Sequence, residues 1–176
     1  MSTFVTSDTH FGHGNILKFT NTDGSRVRPL WEDVDEMNEE MVRRWNARVR
    51  PDDVVWHLGD VSFGKSNFHH ASRLNGTKHL ILGNHDHEKL STYLSVFKTV
   101  QSCARLGNLL LTHYPVHESS LGFGIIGNVH GHTHARCLRD PRYFNASVEA
   151  TNYTPVTIED VRGWFRNVQA AEELGQ

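Results

Sequence analysis

Seven side chains that bind metal ions recur along this chain in five short segments. The segments are Asp8-Thr9-His10, Gly59-Asp60, Gly83-Asn84-His85-Asp86, Thr112-His113-Tyr114 and Gly131-His132-Thr133-His134. Each follows a stretch that reads as a β-strand. Oxygen and imidazole donors in this mixture suit a pair of divalent cations, and such a pair near solvent suits phosphate-ester hydrolysis. One ion would take Asp8, His10, Asp60 and His134. The other would take Asp60, Asn84, His113 and His132, with the Asp60 carboxylate shared. Two ions about 3.5–4 Å apart clamp both ends of an in-line displacement, and a water between them loses a proton near neutral pH and attacks. The leaving alkoxide then needs a proton. His85 follows a ligand directly and is the candidate acid; Asp86 beside it is expected to orient its ring.

The elements that must place these residues are short. Thr3 to Ser7 reads as a strand entering Asp8, and strand alternation would point Asp8 and His10 the same way, as it would His132 and His134. Val34, Met37, Met41, Trp45 and Val49 recur at a helical period, so 34–49 reads as an amphipathic helix whose methionine and aromatic stripe is core packing. Pro51 ends it. Strands are expected over 54–58, 79–82, 96–100, 109–112, 125–130 and 143–148. Thr157 and Asp160 have capping-box spacing and would open a last helix through Trp164 and Phe165. No repeat or low-complexity linker divides the 176 residues, so one domain over 1–176 is expected, without a cap domain.

Composition excludes other classes. Hydrophobic residues make 38% and charged residues 22%, with a net charge of −2 and no long basic run, which argues against polymeric nucleic acid held by phosphate contacts. A nucleotide-sized ligand stays open. The apolar runs are too short to span a membrane, and the Met1-Ser2-Thr3-Phe4 start lacks a basic segment followed by an apolar one, so neither a span nor a signal peptide is expected. Cys103 and Cys137 read as buried or half-buried free thiols in a reducing compartment, and a cytoplasmic location is expected.

The segments resemble the motif set of the calcineurin-like metallophosphoesterases. Asp8-Thr9-His10-Phe11-Gly12-His13-Gly14-Asn15-Ile16 and Val55-Trp56-His57-Leu58-Gly59-Asp60 are similar to small single-domain members from bacteria and their phages. The resemblance implies an α/β fold, a four-layer α/β/β/α sandwich of two mixed β-sheets flanked by helices. It places metal ligands at Asp8, His10, Asp60, Asn84, His113, His132 and His134, and the catalytic histidine at His85. The oxygen and nitrogen donor set itself suits two divalent ions, manganese first, with iron, zinc or nickel also fitting. Departures matter too. Val61, Ser62, Phe63 and Gly64 follow Asp60, where phosphoprotein phosphatases have an Asp-Arg-Gly run, so the arginine that grips a monoester is missing there. A phosphodiesterase for small diesters is therefore expected, and the resemblance suggests 2′,3′-cyclic nucleotides or related small diesters as its substrates. A phosphomonoesterase with the same metals is the alternative, and a non-catalytic scaffold, as in a retromer subunit, is the remote one.

Around the site, His13 and Asn15 either meet the substrate or open a helix. Arg26 and Arg28 read as surface arginines, with Arg28 carried as a substrate contact. His57 and His130 read as supporting or core histidines, His69 and His70 as exposed, and His87 and His117 as rim. Phe123 between Gly122 and Gly124 reads as either a lid beside the site or core.

Overall fold

The structure, a computed structural model, describes residues 1–174. Four parallel strands, β1 (Thr3–Thr6), β2 (Val54–His57), β3 (Thr77–Ile81) and β4 (Thr99–Gln101), stand in the order β4-β3-β2-β1. β9 (Val156–Thr157) closes the sheet antiparallel to β1. The second sheet has the order β5-β6-β7-β8. Its strands are β5 (Cys103–Leu106), β6 (Leu109–Thr112), β7 (Gly127–His130) and β8 (Tyr143–Asn145). β5 is antiparallel to β6, and β6, β7 and β8 are parallel. Two mixed sheets flanked by helices result, the arrangement of a calcineurin-like sandwich.

Alternation on the strands builds two cores. Phe4, Val55 and Leu80 face one side of the first sheet, where they meet Met37, Met41, Trp45 and Val49. These last belong to α1 (Val34–Arg48) and its C-cap. Val5, Leu58 and Ile81 face the other side and meet Leu109, Leu111 and Val129 of the second sheet. Ile158, Val161 and Phe165 of α4 (Ile158–Leu174) join that inner cluster. α1 starts where Asp33 accepts hydrogen bonds from the amides of Asp35 and Glu36 at 2.9 and 3.0 Å, a cap worth about 1 kcal/mol. The sheets are also stitched directly: Ser7 pairs with Ser147 in a parallel bridge just beyond β1 and β8.

Element boundaries differ from the sequence reading in instructive places. Residues 69–72 and 90–94 form two short helices, α2 and α3, and β4 begins only at Thr99. β5 alternates exposed and half-buried residues at one edge of its sheet, and β9 has two residues, so neither announces itself by hydrophobicity. At α4, Thr157 Oγ1 accepts from the Asp160 amide at 3.0 Å, and it donates to the Asp160 carboxylate at 2.7 Å. The Asp160 side chain thus bonds the Thr157 hydroxyl, where a capping box would bond the Thr157 amide. No helix among the described residues is long and apolar enough to cross a membrane.

Candidate metal centre

The five donor segments all follow the carboxyl ends of parallel strands: β1, β2 and β3 in one sheet, β6 and β7 in the other. Parallel strands present these ends to one edge, so the segments converge. Strand alternation, however, does not aim the side chains. β1 ends at Thr6, and Asp8, His10, Asp60, His132 and His134 all adopt left-handed backbone with φ of 60°, 47°, 57°, 68° and 51°. Each such non-glycine residue costs on the order of 1–3 kcal/mol, and this strain is held by the surroundings. The amides of Asp8 and His10 donate to the carbonyls of Gly59 and Asp60, both at 3.0 Å. Gly131 permits a close approach, since a Cβ there would lie 2.0 Å from Ser7 Oγ and 2.5 Å from Asp8 Oδ2.

Asp8, His10 and His134 bring one donor atom each to within 4.8 Å of one another. His10 Nε2 lies 3.8 Å from Asp8 Oδ1 and 3.4 Å from Asp60 Oδ2. Asp8 Oδ2 is occupied by Ser147 Oγ and the His132 amide, both at 2.9 Å. Asp8 Oδ1 and both ring nitrogens of His10, by contrast, are buried with no hydrogen-bond partner. Burial, with Arg28 adding to it, holds His10 well below the usual imidazole value, so it is neutral, as a ligand must be.

The second group gathers around Asn84. Its Oδ1 lies 2.8 Å from His113 Nε2 and 2.9 Å from His132 Nδ1. His113 Nδ1 sits 2.7 Å from the Leu58 carbonyl, which fixes a proton on Nδ1 and leaves Nε2 as the donor atom. Asp60 Oδ2 lies 3.5 Å from His113 Nε2, close to its 3.4 Å distance from His10, so Asp60 stands between the groups. Asp8, Asp60 and His113 also fall within 4.8 Å of one another. Burial pushes the Asp60 carboxyl up, and the Asp8 and Asp86 carboxylates add to the push. Buried unpartnered donors and crowded acids are what a pair of cations would satisfy, and the donor set fits that pair.

His85 is exposed at the mouth, its ring edge-on to His10 at 5.5 Å. Asp86 does not orient it. The Asp86 carboxylate accepts three main-chain amides, Asp60 at 2.8 Å, Val61 at 3.1 Å and Gly83 at 2.8 Å, and so clamps the Asp60 loop to the Asn84 loop. His13 opens the 3-10 turn Gly14–Lys18 without capping it through its side chain. Its ring stacks on Phe63 at 4.4 Å and lies 5.5 Å from His10, at the site. Asn15 is exposed on that turn. Tyr114, half exposed, leans on His132 at 4.3 Å.

Arg28 corrects the sequence reading most sharply. It is 0% exposed and bonds no surface group. Its Nη2 donates to the Asp8 carbonyl at 2.6 Å, its Nη1 to the Thr9 carbonyl at 3.0 Å and its Nε to Glu149 at 2.8 Å. With its nitrogens so occupied it is a strut beneath the Asp8 loop, not a substrate contact. Glu149 was missed altogether. The same Oε1 that pairs with Arg28 lies 3.0 Å from His134 Nδ1. Burial alone would raise its pKa, but Arg28 and His134 together hold it down at about 2. On His134, burial opposes protonation and the Glu149 carboxylate outweighs it, raising the pKa.

Other histidines also find their places. His57 is fully buried; its Nδ1 accepts the Gly59 amide at 3.2 Å and its Nε2 meets Thr9 Oγ1 at 3.0 Å, so it supports both loops. His130 is buried against the Gly131 carbonyl. His70, expected at the surface, is buried and stacked on Phe11 at 5.3 Å. His117 caps the 3-10 turn Glu118–Ser120. Phe123 is 103% exposed and so is not core, while the carbonyl of neighbouring Gly124 is held by Arg105 on β5. That contact ties the loop to the strand pair β5–β6, where Arg105 stands opposite Leu110, and not to the donor loops.

No protein-family model matches the chain. The uncharacterized protein MJ1445 of Methanocaldococcus jannaschii is 34% identical over 168 residues, 89% of this chain and 86% of that one. The chain belongs to the family of MJ1445. The Gene 66 protein of Mycobacterium phage D29 is 29% identical over 94% of this chain and 96% of its own length. Among solved structures, AQ665 of Aquifex aeolicus, a protein of unknown function, shares the fold of this MJ1445 relative. It has a TM-score of 0.68 and 21% identity over 92% of this chain and 98% of its own. A novel archaeal phosphodiesterase aligns more loosely, with a TM-score of 0.49 and 20% identity over 82% of each chain.

Proposed function

We propose that this chain is a two-metal phosphodiesterase acting on small phosphodiesters. One observation carries the reading: Asp60 Oδ2 stands 3.4 Å from His10 Nε2 and 3.5 Å from His113 Nε2, so a single carboxylate joins two clusters of donors. Asp8, His10, Asp60 and His134 would hold one ion, and Asp60, Asn84, His113 and His132 the other. Bound there, two divalent ions supply Lewis acidity to the phosphate and activate a water. His85, exposed beside His10, donates the proton to the departing alkoxide. Glu149 keeps His134 on the tautomer whose Nε2 is free. The diester preference rests on the residues after Asp60, which include no arginine, and on Arg28, which is spent beneath the Asp8 loop.

The test is direct. Protein stripped with chelator and reloaded with manganese should hydrolyse bis(p-nitrophenyl) phosphate faster than p-nitrophenyl phosphate. His85→Ala should lose roughly 10²–10⁴-fold in kcat while retaining its metal. A clear preference for the monoester would overturn the diester assignment. Failure to bind metal, with no hydrolysis of either ester, would overturn the whole reading.

A further inference from the structure

Beside His134 lies a cavity that the chemistry above does not use. One wall is the segment 19–27, which folds back on itself. Val27 N donates to the Phe19 carbonyl at 2.8 Å and Asn21 N to the Ser25 carbonyl at 2.7 Å. The Asp23 carboxylate accepts from Ser25 N at 2.9 Å and from Ser25 Oγ at 2.6 Å, so the tip is internally tied. The other wall is the loop Thr133–Arg136. The space between measures about 570 Å³ and is lined by Phe19, Asn21, Val27, Thr133, His134 and Arg136 among others. That volume is in the usual range for a small-molecule site, roughly 300–1,000 Å³.

Three features indicate what would enter. Phe19 is 49% exposed, its ring edge-on to His13 at 5.7 Å. His13 stacks on Phe63, itself 6.2 Å from His85, so aromatic surface runs from the cavity to the proton donor. The Thr133 hydroxyl is buried and has no partner. The Arg136 guanidinium makes no hydrogen bond or ion pair among the described residues, although Arg136 lines the cavity. A flat π-face, a hydroxyl seeking a partner and an unpaired cation together match a nucleoside bonded to phosphate.

We propose that this cavity is the specificity pocket for one arm of the substrate, a nucleoside. The base lies against Phe19, the sugar reaches Thr133, and Arg136 donates to the phosphate at the His134 edge. The proposal rests on the phosphodiesterase reading for the identity of the substrate, but its own test is a binding measurement. Manganese-loaded protein is titrated calorimetrically with thymidine 5′-monophosphate and, for comparison, with ribose 5-phosphate, which lacks the base. The nucleotide should bind roughly five- to hundred-fold tighter, the range that stacking of one base on one aromatic ring supplies. Phe19→Ala should erase most of that difference, and Arg136→Ala should weaken both ligands. Equal affinities in the unmodified protein, or a Phe19→Ala variant that keeps the full preference, would overturn the pocket. If no ester is hydrolysed under any metal yet the nucleotide preference and its loss in Phe19→Ala are seen, the pocket stands and the catalytic reading alone falls.

Discussion

Glu149 Oε1 lies 3.0 Å from His134 Nδ1, although the two residues come from different loops. The same oxygen neutralises Arg28, which holds the carbonyls of Asp8 and Thr9. One buried carboxylate therefore sets both the ring of His134 and the loop of Asp8, two candidate metal ligands. Glu149→Gln removes the charge but keeps the shape. Metal affinity should fall roughly 10–100-fold, the usual consequence of losing such a supporting partner. The protein should also lose about 3–5 kcal/mol of stability, because the Arg28 charge stays buried without its partner. Metal content at limiting manganese and chemical denaturation read the two effects. An unchanged affinity would show that Glu149 does not support the centre.

Asp86 gives a second test, because adjacency and geometry assign it different roles. A residue that oriented His85 would change the pH dependence of turnover when replaced. A clamp on three main-chain amides would not. Asp86→Ala should lower kcat and cost a few kcal/mol of stability, as buried amides lose charged acceptors. The basic limb of the pH–rate profile should keep its position. A shifted limb with unchanged stability would return Asp86 to the side of His85.

The contrast shows what a local pattern can and cannot convey. The convergence of the candidate ligands was legible because each follows an apolar strand with a polar segment, and five such endings in order leave few other arrangements. Helix α1 was legible because Met37, Met41 and Trp45 repeat at a helical period and all three are buried. Arg28 and Glu149 were not, because their pairing spans 121 residues and Arg28 sits in a stretch that looks like solvent-facing loop. A single sign was available: Glu149 directly follows the strand expected over 143–148, and an acid at the end of a packed strand needs a partner. Asp86 misled because its neighbour in sequence is His85, whereas its partners across the fold are amides. The left-handed turns at Asp8 and His10 were hidden as well, since aspartate and histidine tolerate that backbone without advertising it.

His57 carries a prediction about acid. Burial holds its pKa at about 3, with His113 adding to the shift. Geometry gives the same sense: Nδ1 accepts the Gly59 amide, so a proton there would face another donor. Nε2–H then donates to Thr9 Oγ1, which donates to the Val61 carbonyl at 2.8 Å. In the unfolded chain His57 titrates near 6.5. The native advantage is therefore complete above pH 6.5 and is lost as pH falls toward 3, because the unfolded state takes a proton that the native state refuses. Between pH 7.5 and 5.0 this one residue should cost about 2 kcal/mol. His57→Asn can still accept the Gly59 amide but does not titrate. Urea denaturation of chelator-treated protein at the two pH values should show the variant losing about 2 kcal/mol less than the parent. If both lose equally, His57 is not the group that refuses the proton, and the tautomer assigned from Gly59 and Thr9 is wrong.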